Sequence, residues 1–407
     1  MKIGVGSLKV GAMAKKLISQ TLERGRLSYG DLTAEFENKF ATLHGARYGI
    51  FTVSGTSALQ VSLNALKNIH GWRNGDEVLV PAITFIATSN IVISNNLKPV
   101  FVDINPYTYN IDTSKIEAKI TNRTRAIIPV HLFGQPAEMK PVMTIAEKHR
   151  LKVLADSCET MVASYKRKPL GKWGDIVCFS TYAAHILVTG VGGLMITNDA
   201  EYATAMRSLM NHGRDTIYYN IDQDDSWNSK QKLFTMVDRR FKFVNVGYSY
   251  RLTELEGALG LEGLATIGAK VARRKKNATF LMEALAQFSE DLQLPATARE
   301  AENVYFCLPL VIKKKSKVKR NDLVTFLEEH GIETRYLMPL LSQPVYRNLF
   351  PGEERKYPIA EWVSKNGFYI GCHENLSMRD LRYIVSVFVR FFARRGQVAR
   401  SKPYFNQ

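Results

Sequence analysis

Three residues of different chemistry fall close together near the middle of the chain: Asp156, Ser180 and His185. A carboxylate can pair with a cationic base, a hydroxyl can bind an anion, and an imidazole can move a proton near neutral pH. All three lie between residues 151 and 197, a stretch that reads as three short apolar strands at 151–155, 175–179 and 193–197. Turns rich in Gly, Ser and Thr separate them. Asp156 follows the first strand, Ser180 follows the second, and His185 sits in the next turn. Ligands of open α/β sheets bind outside the carboxyl ends of strands, so the trio marks a cofactor seat.

A second site of the same kind lies upstream. The stretch FTVSGTSALQVSLNALKN reads as strand, tight turn and helix, with Ser54-Gly55-Thr56 at the helix start. Free backbone N–H groups and the helix dipole favour an anion there. Gly55 permits close backbone approach, and the Thr56 hydroxyl adds a donor. By itself this triplet more often marks an ordinary capped helix.

The remaining elements must position these groups. DEVLVPAITFIATSNIVISNN reads as strand, turn and helix, with Phe85 in the turn. KPVFVDINPYTYNIDTSKIEAKI gives a strand and a helix from near Asp112, and RAIIPVHLFGQPAEM gives another strand with His131 and Gln135 at its end. Upstream, Phe36, Phe40 and Leu43 recur at helical spacing. A helix follows over Ala200–Met210, and the polar stretch near 220–236 reads as a long loop or β-excursion. A long helix covers 255–287, with Arg273 to Lys276 assigned to a solvated face. Beyond residue 300 the pattern is strand, helix, strand, and Ser377 is placed to cap a last helix. Strands alternate with helices through the first half, which predicts a mostly parallel sheet covered on both faces. The division expected is a large α/β domain at 1–255, with an insertion at about 213–246, and a smaller α+β portion at 256–407.

Several of these motifs resemble the DegT/DnrJ/EryC1/StrS sugar aminotransferases, over roughly residues 20–390. DSCET, GDIVCFSTYAAHILVTGVGGLMITND, SGTSAL, AIIPVHLFGQPAEM and GYSYRLTELEGALG carry the likeness. It implies a fold-type-I architecture that binds pyridoxal phosphate or pyridoxamine phosphate. By that likeness Asp156 pairs with the pyridine nitrogen, and Gly55, Thr56 and Ser180 bind the phosphate. Phe85 stacks on the cofactor ring. Ser249, where relatives carry Asn, reaches the phosphate of a second subunit, which implies a homodimer with shared sites. Glu159 joins the cofactor-binding positions where relatives have Gln, His or Asp. An acid there is able to protonate a leaving hydroxyl or to pair with a neighbouring base.

The departure that matters most is at His185, which stands where those enzymes carry their Schiff-base lysine. An imidazole cannot form that bond, but it can shuttle a proton. A lone His in a glycine-rich turn is more often structural, and its register with the lysine reverses that weighting. The sugar 3-dehydratase branch of the family shares the replacement. GRD at 213–215 and the segment from NVYFCLPL to RYLM resemble that branch, whereas Val191 replaces its Glu. The likeness therefore implies an enzyme of deoxysugar formation acting on a nucleotide-linked keto sugar, with glutamate as a candidate amino donor. A sugar aminotransferase, a Lys-to-His variant of one, and a catalytically silent binding relative remain as alternatives.

Composition narrows the classes. At 407 residues the chain can bury a large core. No run of about 18 uncharged apolar residues is present, so no membrane helix is expected. The net charge of +17 is spread along the chain without a nucleic-acid-binding motif. Such charge most often marks a solvated surface, next a field that suits anionic substrates, and least a nucleic-acid partner. Cys158, Cys178, Cys307 and Cys372 are scattered without CxxC spacing, which suits a reducing cytoplasm and argues against a metal cluster.

Overall fold

The computed structural model describes residues 2–6, 10–28, 30–215, 234, 237 and 241–394. Seven strands form the main sheet: β1 (Tyr48–Thr52), β2 (Glu77–Pro81), β3 (Lys98–Val102), β4 (Thr124–Ile127), β5 (Lys152–Asp156), β8 (Ile176–Ser180) and β9 (Gly193–Thr197). Their order is β1-β9-β8-β5-β4-β2-β3. Only β9 runs against its neighbours; every other strand points the same way. The central strands are buried on both faces, as their unbroken Val, Ile, Leu and Phe content requires. A short hairpin, β6 (Ser164–Tyr165) and β7 (Lys168–Pro169), lies between β5 and β8. The observed strands begin and end one residue later than the sequence places β5 and β8. The ladder explains the shift, because Asp156 pairs with Cys178 and Ser180 with Gly193.

This topology brings the polar strand ends together. β1, β5 and β8 finish on one edge of the sheet, and β9, running the other way, starts there. Gly193 lies between Thr52 and Ser180 in the ladder. A Cβ on Gly193 would stand 2.2 Å from the Ser54 carbonyl oxygen and 2.6 Å from the Gly55 nitrogen. Only glycine lets the Ser54–Gly55 turn approach so closely.

A second sheet of four antiparallel strands follows: β10 (Leu292–Gln293), β11 (Leu308–Ile312), β12 (Thr334–Tyr336) and β13 (Gly367–Ile370), ordered β10-β11-β13-β12. The helix Met378–Ala393 packs on it through Leu381, Ile384, Phe388 and Phe392. Ser377 caps that helix reciprocally with Asp380, as the sequence predicts. Residue Ile3 also joins this layer: its N–H donates to the Gly331 carbonyl, and its own carbonyl accepts from Glu333.

Three expectations need correction. No α-helix starts near Asp112. Two single 3-10 turns, Thr113–Lys115 and Glu117–Lys119, occur instead. The Asp112 side chain accepts from the Ser114 N–H, and Asn105 accepts from Tyr107 and Thr108, so local bonds compete with a helix. Leu43 is 44% exposed, whereas Phe36 and Phe40 are fully buried. Its position at the end of the helix Asp31–Leu43 carries it off the packed face. Finally, Arg274 on the helix Glu254–Leu285 is not solvated. It is 1% exposed, pairs with Glu374 at 2.9 Å, and donates to the Phe306 carbonyl at 2.8 Å. The loop read at 220–236 and the tail beyond 394 lie outside the described residues, apart from Phe234.

Candidate active site

A cavity of about 590 Å³ opens at the edge where β1, β5 and β8 end. Ser54, Gly55 and Thr56 form one wall at the start of the helix Gly55–Ile69. The Ser54 hydroxyl accepts from the Ser57 N–H and caps the helix, which leaves the first-turn amides to face the cavity edge. A Cβ on Gly55 would lie 2.7 Å from the Ser180 Cβ and 2.8 Å from the Cys158 sulfur. The helix start, Ser180 and Cys158 are therefore in close contact around a backbone without a side chain.

Asp156 lies on the floor at 4% exposure. Its Oδ2 accepts from the Thr88 hydroxyl at 2.7 Å, and its Oδ1 accepts from the Cys158 N–H at 3.1 Å. Burial raises its pKa, and those two hydrogen bonds oppose the shift. The carboxyl is thus short of a cationic partner. Phe85 lines the opposite wall and is 58% exposed, so it is a cavity aromatic and not a core residue.

His185 follows β8 in the turn that leads back to β9. Its Nδ1 lies 3.0 Å from the Ser180 carbonyl oxygen, which can only accept, so Nδ1 carries the proton. Nε2 is then the unprotonated nitrogen. Phe306 meets the ring edge-on, with centroids 5.5 Å apart at 84°. Burial lowers the imidazole pKa to about 4; the Ser180 carbonyl opposes this, and the Arg274 charge adds to it. The ring is a neutral base at physiological pH.

Glu159 also lines the cavity, and its Oε2 accepts from the Phe133 N–H at 2.9 Å. Seven of the eight residues singled out from the sequence thus border one space. Ser249 does not: it is exposed, beside Arg251, whose guanidinium donates to its hydroxyl at 3.2 Å. His131 and Gln135 are structural. His131 is fully buried with Nδ1 accepting from Ala137, and Gln135 accepts from Asn303.

The structure adds residues that sequence reading missed. Phe306, Arg335 and Tyr369 enter the cavity from the second sheet and its approach, and Thr88 reaches Asp156 from the helix Ile86–Ser94. Arg335 belongs to the quoted RYLM segment, but no local pattern aims it here. No lysine is among the cavity-lining residues of the described chain.

The model of the DegT/DnrJ/EryC1/StrS aminotransferase family matches residues 9–389. The chain belongs to that family. Among relatives, the GDP-perosamine synthase of Caulobacter vibrioides is 32% identical over 360 residues, covering 88% of this chain and 90% of that protein. The GDP-4-keto-6-deoxy-D-mannose 3-dehydratase of Yersinia pseudotuberculosis is 30% identical over 365 residues, with the same two coverages. The solved E. coli GDP-4-keto-6-deoxy-D-mannose-3-dehydratase with bound hydrated PLP matches with a TM-score of 0.85 at 26% identity, over 95% of this chain and 99% of that one. The family is one of pyridoxal-phosphate-dependent sugar-modifying enzymes, and the seven-stranded and four-stranded sheets are its fold-type-I architecture. Among the described residues no helix is long and apolar enough to cross a membrane.

Proposed function

We propose that this DegT-family member removes the C3 hydroxyl of a nucleotide-linked 4-keto-6-deoxy sugar, with His185 as the proton-moving base. The observation that carries the reading is the state of that imidazole. One nitrogen is fixed by the Ser180 carbonyl, and the other is basic beside a cavity with no lining lysine.

The residues present fit a pyridoxal-type cofactor. Gly55 and Gly193 keep the turn before the helix Gly55–Ile69 free of side chains, as close approach of a phosphate needs, and Thr56 and Ser180 add hydroxyls. The buried Asp156 carboxyl, short of a cation, suits a protonated ring nitrogen. Phe85 is placed to cover a ring face. When bound as pyridoxamine phosphate, the group supplies an amine for the keto carbon and a ring that accepts negative charge. His185 has no primary amine, so it cannot tether the cofactor, and Nε2 is left to take a proton from carbon. Phe306 and the Ser180 carbonyl hold the ring in one orientation for that transfer.

Glutamate as amino donor and a homodimer complete the reading. The exposed Ser249 supports the second, since it lies outside its own chain's cavity. Transamination is the rival, favoured by the similarity to a GDP-perosamine synthase.

The test is an absorption spectrum with added pyridoxal phosphate, then glutamate, then borohydride. The expected result is no cofactor fixed to the chain and conversion by glutamate to the amine form. Covalent fixation through a lysine overturns the role of His185. Formation of an amino sugar instead of a 3-deoxy sugar decides for transamination.

A further inference from the structure

Glu159 has two oxygens with different surroundings. Oε2 accepts from the Phe133 N–H, and Phe133 is a buried residue held at φ 59°. This bond fixes a left-handed turn that no β-carbon favours. The turn matters because the next residue, Gly134, packs against the backbone leading to Phe306; a Cβ there would meet the Phe306 nitrogen at 2.4 Å. Oε1 has no hydrogen-bond partner among the described residues, and the side chain borders the cavity.

Ionised, Glu159 would place a second negative charge beside Asp156. Arg335, the one cation lining the cavity in the described chain, is already bonded to Glu333 and to the Thr334 carbonyl. A carboxyl in that setting keeps its proton. Because Oε2 accepts from an amide, the proton belongs on Oε1, the oxygen without a partner.

We propose that Glu159 is the general acid of the reaction, delivering the Oε1 proton to the C3 hydroxyl as it leaves. This rests on the dehydration reading above and names the residue that reading lacks. The C3–O bond breaks with its electron pair on oxygen, Oε1–H supplies the proton, and water departs. His185 holds the proton taken from carbon, Glu159 is left as carboxylate, and exchange with solvent restores both. The division of labour suits the two groups: a neutral imidazole accepts and a neutral carboxylic acid donates.

Burial pushes the Glu159 pKa up to about 8, with the Asp156 charge adding and the Phe133 N–H opposing. The other groups near it are Cys158, Cys307 just before β11 and Tyr369 on β13, all raised and neutral, with Arg335 and His185 lining the same cavity. Activity on the hydroxyl substrate therefore falls as pH rises through about 8.

The test compares Glu159→Gln with the wild-type holoenzyme on the 4-keto-6-deoxy nucleotide sugar and its 3-deoxy-3-fluoro analogue. Gln keeps an oxygen for Phe133, and fluoride leaves without a proton. With cofactor saturating, the expected loss is about 10²–10⁴-fold on the hydroxyl substrate and at least about 10-fold smaller on the fluoro compound. Infrared spectra of the wild-type protein should show a protonated carboxyl that titrates near pH 8 and is missing from Glu159→Gln. Equal losses on both compounds, or none on either, overturn the proposal. So does a carboxyl already ionised at pH 7. Failure of the wild-type chain to eliminate from either compound overturns the dehydration reading itself.

Discussion

On the proposed reading, His185 keeps the proton-moving job of a Schiff-base lysine and gives up the covalent tether. Because Nδ1 is committed to the Ser180 carbonyl, only Nε2 is available for chemistry. His185→Asn keeps a donor for that carbonyl and removes the base, so turnover should fall at least about 100-fold with cofactor binding intact. Cofactor fluorescence alongside single-turnover assays would check this. With its pKa near 4, His185 remains a base throughout the neutral range, so the acid limb of kcat/KM should lie near pH 4 rather than 6.5. Asp156, Ser180, His185 and the Ser54 turn were legible because strand ends converge by rule, and the family motif gave each a role. Thr88, Phe306, Arg335 and Tyr369 were not. They arrive from other elements, and Arg335 follows Asp156 by some 180 residues, so only the folded topology brings them in.

The helix Glu254–Leu285 illustrates what an element hides from its sequence. The run from Arg273 to Lys276 reads as a charged, solvated face, yet Arg274 is buried between Glu374 and the Phe306 carbonyl. Charge type alone cannot tell a solvated guanidinium from one with two partners more than 30 residues away. Removing one member of a buried pair leaves the other uncompensated, so Arg274→Met should cost about 3–5 kcal/mol. The double variant Arg274→Met/Glu374→Leu should recover part of that loss. Urea unfolding of the double-mutant cycle measures the coupling. At the other extreme, Ser377 was readable from four residues. Ser377→Ala should cost about 1 kcal/mol through loss of the reciprocal cap, seen as a lower urea midpoint.

Across the whole molecule, acid sensitivity follows from imidazoles held neutral. His44 is fully buried; Nδ1 faces the Phe40 carbonyl and Nε2 accepts from Val162, and burial lowers its pKa to about 4. The unfolded chain accepts a proton at about pH 6.5 that folded His44 refuses down to about 4. Its contribution is thus complete above 6.5 and is lost as pH falls through that window. The stability gap between wild type and His44→Gln should narrow by about 3 kcal/mol from pH 7 to pH 4, measured by urea midpoints. Glu159 acts with the opposite sign: its raised carboxyl contributes fully below the ordinary value of 4.5, and that contribution is lost as pH rises from there to about 8. The alternation of strands and helices predicted the main sheet well. The second sheet was legible only as strand, helix, strand, because its pairing is long-range. The bridge from Ile3 to Ile332 spans the two sheets' worth of chain between them. During synthesis at about 5–20 residues per second, Ile3 waits roughly 15–65 s before its partner leaves the ribosome. Until then that segment has no sheet to join, and a nascent chain stalled before Ile332 should expose it to protease. Assembly of the second sheet is therefore a late event of translation, and chaperone demand should concentrate in that interval.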